Sequence, residues 1–296
     1  MAATPAWQRS RMFWFYAFIA PFFLQFAIFR LFPMGWSFWL SFHEWQGIGS
    51  MSPVGLANYA KALRDPLFWQ SIYNTMFLCV IGTIITLSVA FLIAFIINSG
   101  YVRFKNFFKT AYFLPQVTSA VVIGILFQVL YGKEYGFLNW IINGMLDLKP
   151  DWLGKMALIK PSIIAASFWG GFGFYVVMCL AGLQGIDPEL YEAARVDGAG
   201  IRQQFLHITI PMMRNVLVFL VIMSFIGGLQ RFDMEYMLVG ANGGTGNAGL
   251  TIVMYLYQQG FGFFNLGYGS ALAWLLFLMI ITGTLLQVRF VGLSRK

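Results

Sequence analysis

Charged residues, histidine and cysteine are all scarce in this chain. Of its 296 residues, 10% are charged, two are histidine and two are cysteine. With so few histidines, neither a zinc centre nor an acid–base relay is expected. Cys79 and Cys179 fall inside predicted helices, so the sequence supports neither a disulfide framework nor a metal site. We therefore expect no catalytic residue, no metal site and no enzymatic activity on this chain.

The sequence also lacks the motifs of nucleotide binding. The phosphate-loop pattern G-x-x-x-x-G-K-[ST] is absent. Residues 244–249 do match the dinucleotide fingerprint G-x-G-x-x-G, but no βαβ unit surrounds them and no acidic residue follows at the required distance. The glycines there predict an external turn instead. We therefore expect no nucleotide cofactor on this chain.

Apolar residues, in contrast, are abundant. They make up 59% of the chain, and the mean hydropathy is +0.72. Crossing the hydrocarbon layer of a membrane takes a helix of about 20 apolar residues. Six segments of this kind are found, at residues 12–40, 72–97, 107–131, 160–183, 213–240 and 266–290. The predicted fold class is therefore all-α, a polytopic membrane protein with six transmembrane helices.

The distribution of lysine and arginine predicts the orientation in the membrane. Six spans place both chain ends on one side, and the basic residues are more numerous there, as at Arg195, Arg202 and Arg214. Cytoplasmic loops carry such an excess, so both termini are predicted to be cytosolic. The same bias accounts for the formal net charge of +8, because the basic residues never form a run that would suggest nucleic-acid binding.

The predicted cytosolic segment 184–212 is the most polar part of the chain. Asp187 followed by Pro188 predicts a helix start, since the carboxylate can cap free N–H groups and proline suits the first helical position. Gly198 and Gly200 then allow a sharp bend. A second short helix is predicted over residues 201–209, ending near Pro211. Two short helices at an angle, rich in small residues, would form a knob that fits a groove on another protein.

Polar residues at the outer end of the fifth predicted span divide into two helical faces. Arg231 and Glu235 are i, i+4 neighbours that can form an ion pair. Asp233 shares a face with Gln230 and could offer hydrogen bonds to a polar solute. The alternative is that these side chains reach the outer membrane interface, because Arg231 lies about 27 Å along a helix that starts at Met213. The sequence leaves both interpretations open.

The aromatic residues before the last span also have two interpretations. Tyr255 and Tyr257 lie close to several phenylalanines. Aromatic residues are enriched at membrane interfaces, which is the ordinary explanation. Stacking on a sugar ring is the alternative.

The segment from Tyr191 to Gly200 and from His207 to Pro211 resembles the cytoplasmic loop by which permease subunits of ABC importers dock on their ATPase. Residues 54–59, 65–69 and 180–184 are similar to the carbohydrate branch of these permeases, the maltose-type inner-membrane components. The resemblance implies a type I importer permease fold with cytoplasmic coupling helices, forming one transmembrane domain over residues 1–296.

The resemblance also implies site residues. The ATPase-coupling residues would be Glu192, Ala193, Ala194, Arg195, Asp197, Gly198 and Pro211. The substrate-binding residues, carried over by position, would be Gln230, Asp233 and Tyr255. The chain would hold no cofactor of its own, with ATP and Mg²⁺ on the partner ATPase subunits.

The implied partners are a second, homologous permease, two ATPase subunits, an extracytoplasmic solute-binding protein, a carbohydrate substrate and membrane lipid. The protein would lie in the bacterial cytoplasmic (inner) membrane and import a sugar or oligosaccharide. The alternatives are an ion-coupled secondary transporter, or an ABC permease for a solute such as a glycerol phosphate.

Overall fold

A computed structural model describes residues 6–98 and 105–292, so both chain ends and the link at 99–104 between the second and third predicted spans lie outside the described residues. The described chain is helical apart from one short hairpin. Its helices and strands are α1 (Ala6–Phe26), α2 (Phe32–Leu40), β1 (His43–Glu44), β2 (Ser52–Pro53), α3 (Ala57–Arg64), α4 (Pro66–Asn98), α5 (Lys105–Val117), α6 (Ala120–Leu130), α7 (Phe137–Leu146), α8 (Met156–Gln184), α9 (Pro188–Val196), α10 (Ile201–Gln204), α11 (Ile210–Leu229), α12 (Asp233–Val239), α13 (Ile252–Tyr257) and α14 (Leu266–Gly292).

Five helical segments within the described residues have the length and composition of a membrane span. They are Trp14–Leu40, Pro66–Asn98, Met156–Gln184, Ile201–Leu229 and Leu266–Phe290. Counted as one span, a bent pair gives a sixth: Thr110–Val117 and Ala120–Leu130, with a bend of 103° between its halves. Turns of π-helix join some of these pieces, at Ala27–Leu31 between α1 and α2 and at Phe205–Thr209 between α10 and α11. The prediction of an all-α membrane protein is confirmed.

The described chain forms two compact units. The first comprises residues 6–64 and 259–275. Within it, β1 and β2 pair antiparallel, with His43 opposite Pro53. The buried side chain of Asn58 holds the hairpin to the end of α2, since its Nδ2 donates to the carbonyl oxygens of Ser41 at 2.9 Å and His43 at 3.0 Å. This amide satisfies two backbone acceptors that would otherwise be buried unpaired.

The second unit comprises residues 65–98, 105–258 and 276–292. Its apolar core divides into two clusters along the long helices α4 and α8. The first apolar cluster contains Ala90, Phe91, Ala94, Ile97, Phe172, Val176, Cys179, Leu180, Leu183, Ile186, Met213 and Leu220. The second apolar cluster contains Leu78, Ile123, Tyr131, Ile159, Ile163, Ile164, Ala166, Met234, Leu238 and Ala248. The two clusters occupy opposite halves of α4 and α8, and more polar residues lie between them.

The turn predicted near residues 244–249 is confirmed. Gly243, Gly244 and Gly246 all have positive φ values, which glycine adopts without a steric penalty. Asn74 of α4 fixes these turns, because its Nδ2 donates to the carbonyl oxygens of Asn247 at 2.8 Å and Leu250 at 3.0 Å. The segment is therefore anchored on the second span.

Candidate functional site

The predicted fifth span is not one helix. The structure ends α11 at Leu229 and starts α12 at Asp233, so the prediction of a continuous span over 213–240 is wrong between these residues. The break is stabilised from a distance, since the Thr251 hydroxyl donates to the carbonyl oxygen of Arg231 at 2.8 Å. Within a membrane, non-helical backbone is tolerated where protein surrounds it or where it lines a cavity.

The predicted third span is interrupted as well. Residues 107–131 were expected to form one helix that tolerates Pro115, but α5 ends at Val117 and α6 starts at Ala120. Ser119 acts as the N-cap of α6, and its side chain accepts a hydrogen bond from the N–H of Val122 at 3.3 Å. A serine cap satisfies one of the free N–H groups at a helix start, which offsets the loss of helical bonds at the bend.

Both breaks border the same cavity, which we call the central cavity. It has a volume of about 470 Å³, within the usual range of ligand pockets. It lies between the two apolar clusters: its lining on α4 runs from Cys79 to Thr86, and its lining on α8 runs from Ser167 to Tyr175. Gly82 and Gly170, which stand at the middle of these two helices, are part of the lining.

Most of the polar groups around the central cavity are neutral. The hydroxyl-bearing residues are Thr83, Thr86, Thr118, Ser167, Tyr175 and Ser224, and the amides are Gln116 and Gln230. The hydroxyls of Tyr175 and Ser224 are 2.8 Å apart and hydrogen-bonded. Such a lining can exchange hydrogen bonds with a polyhydroxylated solute.

These hydroxyl groups were not predicted from the sequence, although the spacing of residues in the second span indicates part of the lining. Cys79, Gly82, Thr83 and Thr86 recur at i, i+3, i+4 and i+7 within the second span. That spacing places small and polar residues on one face of a helix that is otherwise apolar.

Arg231 lies at the central cavity and forms the ion pair that its spacing predicts. Its Nη1 donates to Oε1 of Glu235 at 2.9 Å and to the hydroxyl of Ser167 at 2.9 Å. The side chains of Arg231 and Glu235 are 19% and 4% exposed. Arg231 therefore lies at the central cavity, in contact with Ser167 of α8, and its depth in the membrane stays a prediction.

Two of the three predicted substrate residues are brought together. Gln230 and Asp233 are both exposed and both line the central cavity. Tyr255 is not among the lining residues: it is 2% exposed, and its hydroxyl donates to a carboxylate oxygen of Asp65. The other oxygen of Asp65 accepts from the N–H of Leu67 at 2.9 Å, so Tyr255 fastens α13 to the start of α4.

The predicted coupling segment forms exposed helices. Helix α9 begins as predicted, with the Asp187 side chain accepting from the N–H of Glu189 at 3.0 Å. Glu192, Ala193 and Asp197 are exposed, whereas Ala194 is half-buried. Arg195 lies 3.8 Å from Glu192 in an exposed ion pair. Apolar side chains are exposed here too, with Val196 at 88% and Ile201 at 65%, as expected for a surface that another protein covers.

Gly198 ends α9 for a definite conformational reason. Its φ of +78° lies in the left-handed region, which a side chain disfavours. Two bonds close the helix end: Gly198 N–H donates to the Arg195 carbonyl at 3.1 Å, and Ala199 N–H donates to the Ala194 carbonyl at 2.8 Å. This is a Schellman motif. The bend predicted at Gly198 is confirmed.

The second coupling helix does not end near Pro211. The structure runs it on as a single helical segment, Ile201–Leu229, so that part of the prediction is wrong. A π-turn at Phe205–Thr209 joins α10 to α11 without a break. In this turn Ile210 N–H donates to the carbonyl of Phe205, one residue further back than in an α-helix. Pro211 follows directly after this π-turn, as the second residue of α11. Pro211 is therefore part of the continuous helix.

Within residues 6–98 and 105–292, no group of three or more His, Cys, Asp or Glu residues could hold a metal ion. Cys79 and Cys179 are buried and unpaired with each other.

Comparison with solved structures identifies the fold. The chain is similar to a bacterial ABC transporter involved in the import of the acidic polysaccharide alginate, with a TM-score of 0.86 and 21% identity, covering 98% of this chain and 99% of that one. A second structure, of the bacterial alginate transporter in complex with an alginate pentasaccharide-bound periplasmic protein, has a TM-score of 0.82 and 23% identity, covering 98% of this chain and 97% of that one. The predicted importer-permease fold is thus confirmed.

Comparison of sequences identifies the family. The arabinooligosaccharides transport system permease protein AraP of Bacillus subtilis is 37% identical over 278 residues, covering 94% of this chain and 88% of AraP. The lactose transport system permease protein LacF of Rhizobium radiobacter is 32% identical over 272 residues, covering 91% of each chain. Residues 89–295 match the family described as binding-protein-dependent transport system inner membrane component. The chain belongs to this family and is a multi-pass permease subunit of an ABC importer.

Proposed function

We propose that this chain, with a second homologous permease, forms the pathway of an ATP-driven importer for saccharides. An extracytoplasmic binding protein delivers the cargo, and two ATPase subunits bind ATP and Mg²⁺ on the cytosolic side. Both chain termini lie in the cytosol. The names of AraP and LacF, which transport arabinooligosaccharides and lactose, support a saccharide as cargo. The hydroxyl and amide lining of the central cavity is consistent with it.

The continuous helix Ile201–Leu229 is the observation that carries this proposal. Its 29 residues extend about 43 Å at 1.5 Å per residue. One end lies directly after Gly200 in the coupling segment, and the other end lies directly before Gln230 in the central cavity. A movement imposed on the coupling segment by an ATPase would therefore reach the cavity without crossing a loop.

The coupling segment is braced against this helix. The hydroxyls of Tyr191 in α9 and Thr209 in the π-turn are hydrogen-bonded at 3.0 Å, and Thr209 is fully buried. Gln204 Nε2 also donates to the carbonyl of Ala199 at 2.8 Å. In this proposal Glu192, Ala193, Ala194, Arg195, Asp197 and Gly198 form the ATPase-coupling surface, and Pro211 lies in the helix that transmits its motion.

At the other end, Gln230 and Asp233 would contact the saccharide. Tyr255 would act indirectly, by fixing α13 and thereby Thr251, whose hydroxyl holds the break at Arg231. Each partner must bind the outward-facing and inward-facing states with different affinity for transport to follow, because a ligand shifts a conformational equilibrium only by its differential affinity.

The test is reconstitution of both permeases and the ATPase in proteoliposomes, with and without the binding protein and a panel of oligosaccharides. We expect one loaded binding protein to stimulate ATP hydrolysis and to support uptake. Glu192→Lys should uncouple ATP hydrolysis from saccharide uptake. The matched control is Glu134→Lys, which also reverses the charge of an exposed residue. Glu134 lies outside the coupling segment and is likewise ion-paired, at 3.7 Å from Lys149. Unchanged coupling in Glu192→Lys would contradict the proposal.

A further inference from the structure

The charged residues around the central cavity differ in whether their charge is already paired within the protein. Among the described residues that line it, three are charged: Arg231, Asp233 and Glu235. Glu235 is 4% exposed and its Oε1 lies 2.9 Å from Nη1 of Arg231, so the cation is neutralised within the protein. Asp233, in contrast, is exposed and forms none of the ion pairs found in the described part of the chain.

The same geometry limits how Arg231 could recognise an anion. Its Nη1 already serves both Glu235 and Ser167, and its Nη2 lies close to Gly82, at 3.7 Å from the position that a Cβ would take there. Arginine binds a carboxylate or phosphate bidentately through Nη1 with Nη2 or through Nε with Nη2. The first mode would require the Glu235 pair to open, and in the second a solute would have to reach Nε, which is buried. Opening the pair would leave Glu235 buried without its partner, which is strongly unfavourable.

From these contacts we infer that the cavity is selective for uncharged saccharides and rejects those that carry carboxylate or phosphate groups. The inference rests on the proposed function, since it takes the central cavity as the passage for cargo. The described residues of this chain that line the cavity carry a net charge of −1. An anionic sugar therefore meets repulsion from Asp233, and the one cation among these residues, Arg231, is paired with Glu235. A neutral sugar keeps every hydrogen bond to the hydroxyl and amide groups.

The inference distinguishes anionic from neutral solutes, which the sequence alone did not. A glycerol phosphate or an oligouronate would be disfavoured, whereas a neutral oligosaccharide would be accepted. In a partly desolvated site, one like charge at close range weakens binding by at least about tenfold. Discrimination of that size would act at the permease, in addition to any selection by the binding protein.

The test is equilibrium binding of tritiated trisaccharides to the complete complex of both permeases and the ATPases in lipid nanodiscs, without the binding protein. Three matched pairs serve as probes: gluco- and glucurono-, galacto- and galacturono-, and manno- and mannurono-trisaccharides. We expect at least one neutral member to bind and its uronate to bind at least about tenfold more weakly.

Variants locate the cause of the discrimination. Glu235→Gln keeps the shape of the side chain but frees the charge of Arg231, so the preference should fall to about threefold or less, or reverse. Asp233→Asn should also reduce the preference for the neutral sugar over its uronate. The double variant Arg231→Gln with Glu235→Gln removes the pair and leaves Asp233, so the preference for the neutral sugar should persist. Glu134→Gln, an exposed carboxylate outside the cavity, should change nothing.

Two results would overturn the inference. One is a uronate that binds the unmodified complex as tightly as its neutral counterpart. The other is a preference that neither Glu235→Gln nor Asp233→Asn alters. If a loaded binding protein still drives uptake of a neutral sugar in those cases, only the selectivity is wrong. If no saccharide binds and none is taken up, the proposed function fails with it.

Discussion

Arg231 Nη1 and Glu235 Oε1 are 2.9 Å apart, and Arg231 also contacts Ser167 at the middle of α8. This pair accounts for two charges in an apolar stretch, where an isolated charge would be costly. It also places both side chains beside α8 at the central cavity. The neighbouring Gln230 and Asp233 are left exposed to the central cavity.

Breaking this pair from one side should destabilise the protein. Glu235→Ala leaves Arg231 buried without its partner, at a cost of about 3–5 kcal/mol. Replacing both residues by methionine should be close to neutral for stability, because no buried charge then remains unpaired. Thermal unfolding of the purified complex measures both effects. A midpoint for Glu235→Ala equal to that of the unmodified complex would show that the pair is solvated and not buried.

Gly198 should be intolerant of a side chain although space is available. No atom lies within 4 Å of where its Cβ would stand, but its φ of +78° opposes any L-residue by about 1–2 kcal/mol. Gly198→Val should therefore deform the end of α9 and lower the uptake obtained per ATP hydrolysed. Gly200→Val is the control, since Gly200 has an extended backbone with φ of −71°. Equal coupling ratios in the two variants would refute the role given to Gly198.

Gly173 should be essential for helix packing. A Cβ at this position would stand 1.8 Å from the carbonyl oxygen of Tyr112, so α5 and α8 could not keep their separation. Gly173→Ala should lower the unfolding temperature by several degrees, as expected for overpacking worth about 1–3 kcal/mol. At Gly171 in the same helix, the nearest atom lies 3.9 Å away, an ordinary contact. Gly171→Ala should therefore melt close to the unmodified protein, and a similar loss in both variants would argue against close approach at Gly173.

Thr251 should matter for the shape of the cavity although it is not part of its lining. Its hydroxyl donates to the Arg231 carbonyl at 2.8 Å and accepts from the N–H of Met254 at 3.3 Å. Thr251→Val removes both bonds at nearly constant volume, so saccharide binding should weaken by about tenfold and stability should fall by about 1–3 kcal/mol. Thr245→Val alters an exposed threonine in the same segment and serves as the control for binding and melting. Unaltered saccharide affinity in Thr251→Val would mean that the break needs no support from α13.

The sequence was sufficient for the features that depend on local physical chemistry. Hydropathy located the spans because a helix in lipid must be apolar over its whole length. The cap at Asp187 and the bend at Gly198 follow from residues adjacent in the chain. The pairing of Arg231 with Glu235 was also predicted, from i, i+4 spacing in a continuous helix, but in the structure Arg231 lies in the break before α12 and still reaches Glu235.

The features that the sequence did not predict depend on distant contacts. The break after Leu229 is hydrogen-bonded to Thr251, and Tyr255 is hydrogen-bonded to Asp65, which lies 190 residues away in the chain. Pro211 suggested a helix end because proline has no N–H to donate within a helix. In the structure a π-turn precedes it, and the helix continues past Pro211. The central cavity is lined by residues of six helices, α4, α5, α6, α8, α11 and α12, and no single segment encodes how they pack together.

The central claim is that the Ile201–Leu229 helix transmits motion from the coupling segment to the central cavity as one rigid body. The direct measurement is pulsed electron spin resonance on the complete complex in nanodiscs, with spin labels at the exposed positions Arg202 and Met223 of this helix. A second pair joins Met223 to Trp169 on α8. With ATP bound, we expect an unchanged distance within the helix and a changed distance from Met223 to Trp169. A helix that bends between Arg202 and Met223 while Met223 stays fixed relative to Trp169 would contradict the account.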